Sequence, residues 1–379
     1  MSVTAAQGFR AAGVRAGLKA SGKPDLALVV NDGPLDTAAG VFTTNRVVAA
    51  PVVWSRRLLA GQEDGQAGRA RAVVLNSGSA NACTGAQGMH DTEATATRTA
   101  GLLGAEPGQI LVCSTGVIGE RIDMPVLLEG IDVAALALAD TPQAGTDAAT
   151  AIMTTDTVSK EDVLTVGTGE KGWTIGGMIK GVGMLAPGLA TMLAVITTDA
   201  VLTPREAQDA LASVTARTVN RINSDGCMST NDTVLLLASG ASGVTPSRAE
   251  FDEALTDVMG RLGRRLVADA EGATHDIAIT VSGAVSEAAA EAAARAVSAS
   301  NLLKCAVAGA DPNWGRILSQ LGTVPEDVCP FNPDEVDVTI NGITIFSHGA
   351  PQPNRDAVDM SPRETRIDIG YLHTGIEKN

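Results

Sequence analysis

The sequence predicts a mixed α/β protein, because apolar segments of strand length alternate with segments of helical spacing along its 379 residues. Two buried strands are the clearest of these, Ala72–Asn76 and Ile110–Cys113. Each runs into a loop of small residues, as at the strand ends where α/β proteins build their sites. Near the C-terminus, Asn341-Gly342 sits between two β-branched runs and predicts a hairpin over 338–346.

The first half of the chain alternates extended and helical segments. A turn signal, Asn-Asp-Gly-Pro at 31–34, separates two extended segments, Leu26–Val30 and Gly40–Phe42. Apolar residues at helical spacing then predict helices over Asp91–Leu103, Val133–Leu138 and Thr146–Met153.

The second half begins with a β-like segment, Trp173–Met184, that several glycines interrupt. Its neighbour Met192–Thr198 ends in Val-Ile-Thr-Thr, which predicts a strand. Thr203 and Pro204 are typical of the N-cap and first position of a helix. Beyond them we expect strands at Val234–Ala238 and Asp276–Val281, and helices at Ser247–Asp269 and Glu287–Ala299.

Composition excludes several classes of partner. A net charge of −15 disfavours nucleic acid and other polyanions, and 2% aromatic residues leave little for base stacking. No apolar run approaches the roughly 20 residues of a membrane span, and no secretory signal is visible. The five cysteines and four histidines lack metal-ligand spacing. We therefore expect a cytoplasmic protein with no metal, nucleic-acid or membrane partner.

The most informative feature is the peptide bond between Ala190 and Thr191. It follows a Pro-Gly turn and precedes a β-branched run, a layout expected of a chain that cuts itself to expose an N-terminal threonine. Such a threonine carries a nucleophilic hydroxyl and its own base, the new α-amine, with an unperturbed pKa of about 7.7–8.0. The alternative is an ordinary turn that enters a core strand.

Four other residues could serve the same chemistry. Thr115 and Gly116 follow a buried strand and could form an oxyanion hole, or merely a tight turn. Lys180 could bind a carboxylate or lower the pKa of an amine, or be a surface lysine. Glu271 ends a helix, where the macrodipole disfavours a carboxylate; it could bind an ammonium group or simply be exposed.

Taken together, eight segments resemble the ornithine acetyltransferase family, also called glutamate N-acetyltransferases. They occur in the family's order and cover nearly the whole chain. They are GVFTTNR (40–46), LNSGSANACTG (75–85), STGVIG (114–119), AIMTTDT (151–157), KGVGMLAPGLATML (180–193), SDGCMSTNDT (224–233), DAEGAT (269–274) and DPNWGR (311–316).

The resemblance implies self-cleavage at Ala190–Thr191 into an α chain, 1–190, and a β chain, 191–379. Two such αβ pairs would associate as a heterotetramer. The implied fold is a layered α-β-β-α sandwich. In this family Thr191 matches the acetyl-accepting nucleophile, and Thr115 and Gly116 match the oxyanion pair. The positions that match the substrate site are Thr154, Lys180, Thr191 and Glu271.

The implied mechanism is ping-pong acetyl transfer without a cofactor. Thr191 takes the acetyl group of N-acetylornithine, ornithine leaves, and glutamate accepts the acetyl group. Some members also use acetyl-CoA, and the sequence leaves this donor open. Family members end in a tail that supplies a late Asn and a terminal Ser or Thr. Residues 370–379 do not match that tail, so we expect a divergent or truncated C-terminus, and the sequence leaves open whether the substrate site is complete.

Two other functions stay open from the sequence. One is an autoprocessed amidase, or a pathway paralogue acting on another N-acyl amino acid; ornithine release independent of glutamate would favour hydrolysis. The other is a non-catalytic scaffold, which would stay uncleaved and yield no fragment that begins at Thr191.

Overall fold

The computed structural model describes residues 2–61, 67–185 and 192–371. By packing, the chain divides into two compact units, Met1–Glu271 and Gly272–Asn379. The boundary between these units differs from the predicted cleavage site, which would divide the chain into 1–190 and 191–379. The cleavage site stays a prediction. Ala190, Thr191 and the C-terminal residues from 372 onward lie outside the described residues.

The first unit is built from two sheets and the helices around them. Its described strands are β1 (Phe9–Val14), β2 (Leu26–Asn31), β3 (Thr37–Phe42), β4 (Ala72–Ser79), β5 (Ile110–Val117), β6 (Lys160–Val166), β7 (Trp173–Lys180), β8 (Leu193–Thr198) and β9 (Thr233–Ala238). Its described helices are α1 (Ala50–Leu59), α2 (Gly85–Leu103), α3 (Met124–Leu136), α4 (Pro142–Ala151), α5 (Pro204–Arg217) and α6 (Arg248–Ala268).

The two sheets differ in size and strand direction. The four-stranded sheet has the order β1-β2-β4-β5, in which only β4 and β5 run parallel. The five-stranded sheet has the order β3-β9-β8-β7-β6, in which only β8 and β9 run parallel. The predicted oxyanion pair therefore lies on an edge strand of the smaller sheet, and Lys180 ends a strand inside the larger one.

Alternating side chains explain why the sheets stack. In β2, Ala27 and Val29 join an apolar cluster with Val195 of β8, whereas Leu26 and Leu28 join a cluster with α2 and α3. On the larger sheet, Gly177 and Ile196 instead face α6, since a Cβ on Gly177 would lie 3.2 Å from the Leu262 side chain. The first unit is thus helix, sheet, sheet and helix in layers, and the predicted α-β-β-α sandwich is confirmed.

The second unit is a single sheet with helices packed on it. Its described elements are β10 (Asp276–Ser282), α7 (Glu287–Ser298), α8 (Asn301–Ala308), α9 (Trp314–Leu321), β11 (Val336–Ile340), β12 (Ile343–Ser347), β13 (Ala350–Pro351) and β14 (Glu364–Tyr371). The strand order is β10-β14-β11-β12-β13. At the predicted hairpin, Asn341 and Gly342 have φ values of 48° and 83°, which confirms the turn residues.

Local signals fixed most elements, and the errors have physical causes. The predicted helix start at Thr203 is confirmed by a capping box with Glu206. The predicted start of α2 at Asp91 is wrong: the helix begins at Gly85, through residues without apolar spacing. The prediction of β structure up to Met184 is also wrong, because β7 ends at Lys180. In the described ranges, no helix has the length and apolarity needed to cross a membrane.

Candidate active site

The site begins at the end of β5, where Thr115 is buried and Gly116 follows it. Gly116 has φ = 136° and pairs with Gly78 of the parallel strand β4. A Cβ at position 116 would lie 2.3 Å from the carbonyl carbon of Gly78. Only glycine fits this approach, so the second member of the predicted oxyanion pair is fixed by backbone packing.

The side chain of Lys180 contacts two other predicted site residues, Thr154 and Thr115. Its side chain is 1% exposed, and its ammonium donates to Thr154 Oγ1 at 2.8 Å and to Thr115 Oγ1 at 3.3 Å. The alternative of a surface lysine is therefore wrong. The neighbouring Thr155 is exposed, so Thr154 is the threonine of this loop that contacts the lysine.

Asp156 holds this cluster in place, although the sequence did not single it out. Its Oδ2 accepts the Thr154 N–H at 2.9 Å and lies 3.9 Å from Lys180 Nζ, while Oδ1 accepts the Gly181 N–H at 2.7 Å. Burial opposes ionisation of Asp156, yet Lys180 and Lys160 bring its pKa below the usual value. An ionised carboxylate thus faces the lysine.

The charge on Lys180 is finely balanced. Burial lowers the pKa of its ammonium to about 8, because a charged group loses hydration when it leaves water. Asp156 and Asp232 oppose this effect, whereas Lys160 and Lys19 add to it. The group is mostly protonated at pH 7 and loses its charge a little above that pH, so it can bind a carboxylate near neutrality.

Glu271 joins the same region through the backbone. It follows the end of α6, and its N–H donates to Val182 O at 2.7 Å, two residues beyond Lys180. A Cβ on Gly183 would lie 3.1 Å from Glu271 Oε2, so the glycine leaves room for this carboxylate. The side chain itself is exposed. This position fits an acceptor for a substrate ammonium, and the role stays a prediction.

The described residues on either side of the Ala190–Thr191 junction are held by two aspartates. Leu185 N donates to Asp225 Oδ2 at 3.2 Å, and Met192 N donates to Asp232 Oδ1 at 3.0 Å. Nearby, Asn231 donates to Ser114 O at 2.8 Å, which ties this loop to the residue before Thr115. The polar segment 224–233 therefore links the described flank of the junction to β5, the strand that carries the predicted oxyanion pair.

Asp232 is the least satisfied of these groups. Its side chain is 0% exposed, and among the described residues Oδ2 accepts no hydrogen bond. Burial raises the pKa of Asp232 well above the usual value. Hydrogen bonds from the Met192 N–H and the Ser229 hydroxyl, together with the charge of Lys180, lower this pKa but do not outweigh burial. A buried carboxyl with a raised pKa is held as the neutral acid more readily than an exposed one.

Asp232→Asn is therefore expected to stabilise the protein near neutral pH. A carboxyl whose pKa is higher in the folded than in the unfolded state contributes to the free energy of unfolding only while it is protonated. That contribution is complete below the unfolded-state pKa of about 3.9 and is lost as the pH rises through the folded-state pKa. Asparagine cannot ionise and keeps an oxygen for Met192. We expect the free energy of unfolding to rise at pH 7 and not to rise at pH 4.

Urea unfolding of the variant and the parent at both pH values checks this expectation. The exposed Asp327→Asn serves as the matched control, with little change at either pH. A variant that is less stable at pH 7, or equally changed at both pH values, would contradict the assignment of a raised pKa.

No ligand set for a metal is apparent in residues 2–61, 67–185 and 192–371, where no group of three or more His, Cys, Asp or Glu side chains could hold an ion. The functional groups that do converge in the described residues are hydroxyls, ammonium groups and carboxylates. Such groups bind and polarise a small polar substrate, and they suit acyl transfer.

Known proteins resemble this chain along almost its whole length. The ArgJ family model matches residues 10–378. The arginine biosynthesis bifunctional protein ArgJ of Bifidobacterium longum is 57% identical over 376 residues, 99% of this chain and 94% of that protein. The protein of the same name from Streptomyces coelicolor is 53% identical over 367 residues, 97% and 92% of the two chains.

One solved structure is similar in sequence over part of the chain. It is ornithine acetyltransferase from Mycobacterium tuberculosis in complex with ornithine, 49% identical over 51% of this chain and 96% of that chain, with a TM-score of 0.46.

Proposed function

This chain belongs to the ArgJ family of arginine-biosynthesis enzymes, and we propose that it moves the acetyl group of N-acetylornithine to glutamate in the cytoplasm. The observation that carries the proposal is the contact of the buried Lys180 ammonium with Thr115 and Thr154. A cation beside the predicted oxyanion pair suits a substrate that carries both a carboxylate and an acyl group.

The proposal begins with self-cleavage at Ala190–Thr191. The Thr191 hydroxyl attacks the Ala190 carbonyl carbon, the C–N bond breaks, and the nitrogen takes the hydroxyl proton. Water then hydrolyses the resulting ester, which frees the Ala190 carboxylate and the N-terminal threonine. Lys180 pairs with Leu193 in the β7–β8 ladder. This pairing supports a position of Lys180 close to the N-terminal end of the proposed β chain.

The strand order supports continued association of the two products. In the larger sheet, β8 and β9 from residues 191–379 lie between β7 and β3 from residues 1–190. The backbone hydrogen bonds of the β7–β8 and β3–β9 ladders do not involve the cleaved bond. We therefore propose that the products stay together as an αβ pair, and that two such pairs form a heterotetramer.

Acetyl transfer follows in two half-reactions. The Thr191 hydroxyl attacks the acetyl carbonyl of N-acetylornithine, and its α-amine takes the proton and passes it to the departing ornithine nitrogen. Thr115 and Gly116 stabilise the oxyanion, while Thr154, Lys180 and Glu271 hold the amino acid's charged groups. The α-amine of glutamate then attacks the acetyl ester, which forms N-acetylglutamate and restores the threonine.

A glutamate omission experiment tests this function. With N-acetylornithine alone, ornithine release is expected to stop near one equivalent per αβ pair, because the acetyl ester accumulates. Added glutamate should restore turnover and yield N-acetylglutamate in equal amount. Continuous ornithine release without glutamate would instead indicate an amidase. A third arm with acetyl-CoA and glutamate tests the second donor, since glutamate acetylation there requires no ornithine derivative.

A further inference from the structure

Lys160 is a second fully buried lysine, and the proposed chemistry does not use it. It begins β6, its side chain is 0% exposed, and its ammonium donates to Asp156 Oδ1 at 2.8 Å and to Asp269 Oδ2 at 2.5 Å. Burial of a lysine is costly unless carboxylates compensate it. A lysine placed between two carboxylates, one of which also faces Lys180, calls for a specific explanation.

Asp156 is shared between the two lysines. Its Oδ1 takes Lys160, and its Oδ2 lies 3.9 Å from Lys180. The same carboxylate accepts the backbone N–H groups of Thr154 and Gly181. Any movement of Asp156 would therefore move both the threonine that Lys180 contacts and the backbone that follows Lys180.

Asp269 extends the connection to the end of α6. It accepts hydrogen bonds from the backbone and hydroxyl of Thr157 as well as from Lys160. Two residues later, Glu271 N donates to Val182 O. Lys160 thus lies between the loop that carries Thr154 and the helix end that carries Glu271.

The charges around Lys180 give Lys160 a second effect. Carboxylates of Asp156 and Asp232 favour the protonated lysine, while the ammonium groups of Lys160 and Lys19 disfavour it. These four groups come from the loop after α4, the loop before β9, the start of β6 and the loop before β2. Of the two ammonium groups, only that of Lys160 is paired with the carboxylate closest to Lys180.

We propose that Lys160 is a positioning residue for acetyl transfer: it shares the Asp156 carboxylate with Lys180, and through that carboxylate it fixes the place and the electrostatic surroundings of Lys180 beside Thr115 and Thr154. The inference rests on the proposed role of Lys180 in binding a substrate carboxylate. Transfer would then fall as the pH rises through the Lys180 titration, since only the protonated lysine attracts a carboxylate.

Two substitutions should move that titration in opposite directions. Lys160→Met removes a repelling charge and is expected to raise the pKa of Lys180 by about half a pH unit. Asp156→Asn removes an attracting charge and is expected to lower it by about one pH unit. Lys160→Arg keeps the charge and should stay close to the parent. A role in folding alone would not produce shifts of opposite sign.

The titration is measured without reference to activity, by NMR of ¹³Cε-labelled lysines in the purified full-length protein, with Lys180→Met to assign the resonance. The alkaline limb of kcat/KM is measured in parallel. We expect both to move upward in Lys160→Met and downward in Asp156→Asn. Should Lys160→Met fail to fold, Lys160→Arg and Asp269→Asn still test whether Lys160 positions Lys180. Asp269→Asn keeps the charge of Lys160 and removes one of its two carboxylate partners.

The outcomes separate this inference from the proposed function. An unchanged Lys180 titration in both Lys160→Met and Asp156→Asn would overturn the inference whatever the activity. Shifted NMR titrations with an unshifted kcat/KM limb would support the electrostatic link and overturn the substrate-binding role of Lys180. For placement, Asp269→Asn is expected to raise KM about tenfold at constant Lys180 pKa; an unchanged KM would contradict placement.

Discussion

Thr191→Ala is expected to leave the protein as one polypeptide of 379 residues with no acetyl transfer. Alanine supplies no hydroxyl to attack the Ala190 carbonyl, so the N→O acyl shift has no nucleophile. Without cleavage there is also no N-terminal amine to act as the base. Removal of a catalytic nucleophile typically costs about 10⁴-fold or more, and here two steps depend on the same oxygen.

Thr191→Ser is the matched variant, because it keeps the hydroxyl and loses only a methyl group. We expect it to cleave and to transfer acetyl more slowly than the parent. Gel electrophoresis and N-terminal sequencing follow cleavage, and N-acetylglutamate formation follows transfer. Cleavage at 190–191 in the alanine variant, or transfer that survives there, would refute the assignment of Thr191 as nucleophile.

Lys180→Met is expected to cost about 10²-fold in kcat/KM, mainly through a higher KM for the amino-acid substrates. A hydrogen bond to a charged group contributes about 1.5–3 kcal/mol, and methionine fills the space without the charge. Asp156 keeps Lys160 and the Gly181 N–H as partners, so the fold should persist. Steady-state kinetics with both substrates measure the change.

The exposed Lys171→Met is the control for loss of one positive charge, and it should behave as the parent does. Circular dichroism and urea unfolding separate a binding defect from a folding defect. A KM within twofold of the parent in folded Lys180→Met would exclude a carboxylate contact, whereas a fall in kcat alone would point to a role in the acyl-transfer step.

Elements with a local cause could be predicted from the sequence. Thr203 and Glu206 form a capping box within one turn, and Asn341-Gly342 forms a hairpin turn within two residues. Their geometry depends on neighbouring residues only, so the chain itself carries the signal. By contrast, α8 was not predicted: it is short, and packing in the second unit stabilises it.

The assembly of the site could be predicted only through the resemblance. Lys180 contacts Thr115, which is 65 positions away in the sequence, and Thr154, which is 26 positions away. No spacing rule connects residues so far apart, because the two sheets of the first unit bring them together. Residue chemistry alone marked Thr115, Gly116, Lys180 and Glu271 as separate candidates, and the family motifs added Thr154 and joined all five in one site. The structure gathers four of them by contact or adjacency and ties Glu271 to Val182.

The buried charges escaped sequence analysis for a related reason. Charged residues are usually exposed, so Lys160 had no distinguishing mark in the chain. Asp156, Asp232 and Asp269 lay within motifs, yet a motif does not say which carboxylate faces which lysine. Burial and ion pairing are properties of the packed unit, so they appear only in the folded structure.

The acetyl-threonine intermediate is the central claim, and the intact mass of the cleaved chains tests it most directly. After mixing with N-acetylornithine in the absence of glutamate, the fragment that begins at Thr191 is expected to gain the mass of one acetyl group. Glutamate should remove that gain and form N-acetylglutamate. Cleaved protein that turns over both substrates while the fragment never carries an acetyl group would contradict the account.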